Sequence, residues 1–119
     1  MGKFAWMACL LLLSACTRSL SITLPEQFVT VMGYSQGKVV QRCGIRPGTD
    51  KFKRLSQLLA THASGWHKRY TSYDPTFLVV DGDISLYFMG GSMVLSDAEG
   101  EFSRGIAEQD YQFLGCKAP

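Results

Sequence analysis

Apolar and polar positions alternate through much of the chain, and one stretch changes period. Phe28, Val29, Val31 and Tyr34 are strand formers, as are Val39 and Val40. Ser35-Gln36-Gly37 lies between them with Gly37 free to take positive φ, so 26–44 predicts a hairpin. The period then shifts. Phe52, Leu55, Leu58, Leu59 and His62 or Ala63 share one helical face over 50–63. Pro47-Gly48 ends the preceding strand, Thr49 or Asp50 can cap the helix, and Gly65 offers a C′ stop. Beyond it, 76–80 and 84–89 read as strands around Asp81-Gly82-Asp83, a strong hairpin signal. Gly90-Gly91 turns into a strand over 92–95, and "DAEGE" turns into another over 102–106. The stretch 66–73 reads as a further strand or an extended loop ending at Pro75. In the tail, Ala107, Tyr111 and Leu114 lie near one helical face, while Tyr111 and Phe113 also fit a strand; one or two helical turns are expected.

These elements predict an α+β fold. Hairpin links make the sheet antiparallel, with about five to six strands, and one amphipathic helix over about 50–63 packs on one face. The other face is expected to be partly wet, or covered by the tail or a partner. At 119 residues there is room for one domain, and 46% apolar content with 18% charge is globular rather than disordered. A formal charge of +2 gives no argument for nucleic acid. Twelve glycines against four prolines favour tight turns and hence strands.

The N-terminus has the three parts of an export signal: Lys3, an uncharged run "FAWMACLLLL" over 4–13, and the small residues Ser14-Ala15. As a helix that run spans roughly 15 Å, about half a bilayer core. Leu13-Ser14-Ala15-Cys16 resembles the lipobox of bacterial lipoproteins. The resemblance implies cleavage before Cys16, a diacylglycerol thioether on its sulfur, and anchoring to the membrane through two or three acyl chains. It divides the chain into a signal peptide over 1–15, a lipidated cysteine and tether over 16–25, and one domain over 26–119. Thr17 stands where such lipoproteins carry Asp for inner-membrane retention, so the outer membrane, on its periplasmic face, is the expected location. An ordinary secretory signal, an uncleaved anchor, and a buried helix of a cytosolic domain are the other readings of this segment.

With Cys9 removed and Cys16 lipidated, Cys43 and Cys116 remain in an oxidising compartment, where the simplest reading pairs them. Two unpaired thiols, or Cys43 as a nucleophile beside His62 or His67, are the alternatives. The four cysteines contain no C-x-x-C pair, which removes zinc-ribbon and thioredoxin-type readings. His62 and His67 straddle the helix end without an obvious third metal ligand. Asp81 and Asp83 suit a turn better than a calcium loop. No P-loop, G-x-G-x-x-G, Ser-His-Asp or paired-carboxylate motif is present, so neither a cofactor nor enzymatic activity is expected.

Lys51, Lys53 and Arg54 cluster at the helix start, and His67-Lys68-Arg69-Tyr70 follows Trp66. Lys53, Arg54, Trp66, Lys68, Arg69 and Tyr70 are therefore the candidate partner-binding residues, forming one basic, aromatic-bordered face; ordinary solvated charge is the competing reading. The expected function is a non-enzymatic protein-binding or inhibitory module in the periplasm, of the immunity type or a secretion or envelope accessory. The alternative is a structural envelope lipoprotein that contacts peptidoglycan or another lipoprotein.

Overall fold

The first hairpin turns on two residues that both adopt the left-handed region, Gln36 at φ 52° and Gly37 at φ 76°. A tight turn of that hand matches the twist of the flanking strands. It joins β1 (Val29–Ser35) to β2 (Lys38–Ile45), which pair antiparallel along their whole length. The computed structural model describes residues 19, 20, 22, 29–68 and 74–116.

Asp50–Thr61 forms α1. Thr49 caps it: its Oγ1 accepts the Phe52 N–H at 3.2 Å and donates to the Arg46 carbonyl at 2.7 Å. Leu55, Leu58 and Leu59 are buried, and Phe52 packs half-buried beside them. The helix stops short of Gly65, because side chains take up its last carbonyls. Leu58 O accepts from both the His62 N–H and His62 Nδ1, and His62 O accepts from Trp66 Nε1 at 2.8 Å.

β3 is described over His67–Lys68. A meander follows: β4 (Phe77–Asp81), β5 (Ile84–Met89), β6 (Ser92–Asp97) and β7 (Gly100–Gly105). The seven described strands form one antiparallel sheet in the order β2-β1-β4-β5-β6-β7-β3. The fold is therefore mostly β, with more strands than the hairpin count predicted. The additional pairing comes from β3, which docks on β7 at the far edge. α1 carries the chain between the two edges, from β2 to β3.

The register aligns side chains in rows across the sheet. Cys43, Val31, Val79, Leu86, Leu95 and Phe102 are successive cross-strand partners, and Gly33, Phe77, Phe88 and Met93 form the neighbouring row. Cross-strand rows of this kind pack one face of a sheet against its cover. Here the cover is α1, together with two single 3-10 turns at Glu108–Asp110 and Gln112–Leu114. Tyr111 and Leu114 are fully buried in the same core, so the tail covers the helix face of the sheet and not the opposite face. On the opposite face Met32, Leu78 and Tyr87 are half-buried, and Val94 is buried.

Leu20 and Ile22, in the stretch expected to be a tether, pack against this core, and Leu20 N–H donates to the Ala63 carbonyl at 2.6 Å.

Candidate functional site

The tail is held to the fold at several points. Tyr111 packs edge-on to Phe77, with ring centroids 6.1 Å apart, and against Phe88 at 5.3 Å. Its hydroxyl donates to the Gly90 carbonyl at 2.8 Å. Burial raises the Tyr111 hydroxyl above its usual 10.0, Glu108 adds to the rise, and a hydrogen bond with Thr76 opposes it. The neutral form is the one the fold favours, so this contribution to stability is complete below that value and is lost as pH climbs past it. Lys51 Nζ donates to Gly115 O at 3.0 Å, and the Cys116 N–H donates to Gln41 Oε1 at 3.1 Å. Cys43 and Cys116 are joined by a disulfide with Cα atoms 5.8 Å apart. The bridged Cys43 has no thiolate, which removes it as a nucleophile.

Between α1 and this tail runs a groove in two adjoining parts. One holds about 280 Å³ and is lined by Gln57, Leu58, Thr61, His62 and Asp110; the other holds about 360 Å³ beside Asp50, Lys51 and Gly115. Arg54 and Phe113 line both parts. The Arg54 guanidinium lies 4.4 Å from the centroid of the Phe113 ring, a cation–π contact between the two residues that line both parts of the groove. The groove is thus a mixed surface: a planar cation on an aromatic ring, with carboxylates from Asp50 and Asp110 at its two ends. Arg and aromatic side chains dominate the energetics of protein contacts, because they bury large areas and keep a polar end.

Only part of the expected basic face assembles here. Lys53 and Arg54 are exposed near the start of α1. Lys68 is exposed on β3, at the far edge of the sheet, with its stem beside Gly100. Trp66 is fully buried, so it belongs to the core and not to a contact surface. Its indole packs inward because the bridge to His62 O fixes it beneath the end of α1. Arg69, Tyr70 and Cys16 lie outside the described residues. Phe113 is the residue that the tail's mixed pattern hid: a strand or helix reading placed Tyr111 and Phe113 without saying which one faced out.

His62 and His67 end up on different elements, one at the cap of α1 and one on β3. Among the described residues, no three His, Cys, Asp or Glu side chains converge as a metal-binding group. Asp81, buried, ends β4 and pairs with Ile84 across the turn in which Asp83 is exposed. No helix among the described residues is long and apolar enough to cross a membrane. No protein-family model, curated protein or solved structure matches the chain.

Proposed function

We propose that this chain is a lipid-anchored envelope protein of the periplasm, located at the outer membrane, that works as a non-enzymatic protein-binding or inhibitory module. The observation that carries the binding part is the Arg54–Phe113 pair, which lines both parts of a groove whose far wall is tied down by a disulfide. Rigid walls lower the entropy lost on docking, so a modest surface gains affinity. The disulfide also supports an oxidising compartment, in keeping with export and with lipidation of Cys16. The partner is a protein that presents a carboxylate to Arg54 and an apolar side chain to Phe113.

Two measurements test this reading. Intact mass of the protein from its native cells should show a chain beginning at an acylated Cys16; an unmodified chain beginning at Met1 would remove the anchor and the location. Arg54→Ala combined with Phe113→Ala should weaken capture of a stoichiometric envelope partner by about 10- to 100-fold. Arg54→Ala alone should weaken capture with the unfolding midpoint little changed, whereas Phe113 also packs against the core, so its truncation lowers the midpoint as well. An unchanged partner profile would remove the groove as the contact.

A further inference from the structure

The sheet of described strands has two edges. β3, described over His67–Lys68, lies at one. β2, with eight residues, lies at the other, and among the described residues it pairs with β1 alone. Seven of those eight residues are exposed or half-exposed. An open edge offers a row of unpaired backbone N–H and C=O groups to any extended chain. Val39 and Val40, at 44% and 60% exposure, are the exposed large hydrophobics of the described residues, and both lie on this strand.

The charge around the edge has one sign. From Val29 to Thr49 there is no Asp or Glu, while Lys38, Arg42 and Arg46 recur at intervals of four residues. All three are exposed. Arg42 makes one weak contact, from its guanidinium to Met32 Sδ at 3.9 Å. That charge argues against a second copy as the occupant. Antiparallel self-pairing of the regular stretch centred on Arg42 would place Arg42 against Arg42, and like charges set opposite each other in a sheet destabilise it.

The edge is also prepared for docking. β1 backs it throughout, and the Cys43–Cys116 bridge and the Cys116–Gln41 hydrogen bond fasten its middle. The register shifts once, at Gly33/Tyr34 against Val39–Gln41, and is regular from Gln41 to Ile45. An added strand would therefore seat on that regular stretch, which carries Arg42 and leads directly to Arg46 just past the end of β2.

We propose that β2 takes an extended, acid-bearing segment of a partner protein as an additional antiparallel strand of the sheet. Backbone hydrogen bonds would supply the affinity, and the Lys38, Arg42 and Arg46 cations would select carboxylates on the incoming strand. This surface is separate from the α1 groove and does not depend on it.

The test is an NMR titration of the full chain in detergent micelles, using as probe an extended peptide of alternating Val or Thr and Glu. The expected result is amide shift changes concentrated in Lys38–Ile45, with no effect from the same peptide carrying Lys in place of Glu or Pro at alternate positions. Lys38→Glu with Arg42→Glu should weaken the acidic peptide about tenfold or more, and the milder Arg42→Gln should weaken it less. The proposal is overturned if the acidic peptide at millimolar concentration leaves the β2 amides unmoved, or if the acidic and basic peptides bind equally. It is also overturned if the edge instead binds vesicles of anionic lipid with no response to peptide, or if sedimentation shows a dimer that Lys38→Glu with Arg42→Glu alters.

Discussion

Replacing Cys43 and Cys116 together by serine is expected to cost the domain on the order of 4 kcal/mol, and to lower Tm by roughly 15–30 °C. The bridge spans 73 residues of sequence and ties the tail to the edge strand. In the chain-entropy account, a link of that length acts mainly by restricting the unfolded ensemble. The native contacts near it should persist without it, namely those of Lys51 Nζ with Gly115 O and of the Tyr111 hydroxyl with Gly90 O. Two signatures follow. The serine variant should keep the native far-UV and near-UV spectra at low temperature. Its urea m-value should rise, because the unlinked chain exposes more surface on unfolding. Urea unfolding of the oxidised protein, the reduced protein and the double variant checks all of this, and the last two should agree. A loss below about 1 kcal/mol would mean that the tail is held by its side-chain contacts and that the bridge adds little.

Much of the local structure was legible because local chemistry dictated it. Gly37, Gly82 and Gly90 all take positive φ in the turns expected of them. Thr49 caps the helix, and the leucine stripe at 55, 58 and 59 faces the sheet, because the 3.6-residue period leaves those side chains no other face to share. The expected single helical turns of the tail appear as two 3-10 turns.

What was hidden is non-local. Nothing in Lys38–Ile45 states that the strand will sit at an edge, since an edge is defined by the absence of a second neighbour. Nothing in "GWHK" states that Trp66 turns inward while Lys68, two residues on, ends exposed at the other rim. Adjacent basic residues in sequence suggested one face, but α1 separates them: Arg54 stands near its start, and Lys68 follows its end. The groove was illegible for the same reason, because Phe113 meets Arg54 only after the chain has completed the sheet and returned to the helix.

Trp66→Ala is expected to destabilise the domain by about 3–5 kcal/mol, which leaves a domain of this size marginal or unfolded at 37 °C. The indole is fully excluded from solvent, and it occupies the corner where the end of α1 meets the last strand of the sheet. Removing it leaves a cavity and frees the His62 carbonyl that its Nε1–H satisfies. Trp66→Phe separates the two contributions. It keeps most of the apolar burial and loses the hydrogen bond, so it should cost only about 1–2 kcal/mol. In a Trp6→Phe background Trp66 is the one indole in the chain, and its emission should be blue-shifted in the native state and move red in step with global unfolding. Emission already red in the native protein, or a cost for Trp66→Ala under about 1 kcal/mol, would return this residue to the surface. The comparison with Arg54→Ala then divides stability from binding. Trp66→Phe should lower the unfolding midpoint while leaving partner affinity intact at temperatures where it is folded. Arg54→Ala should do the reverse, because its guanidinium rests on an exposed groove and carries none of the core.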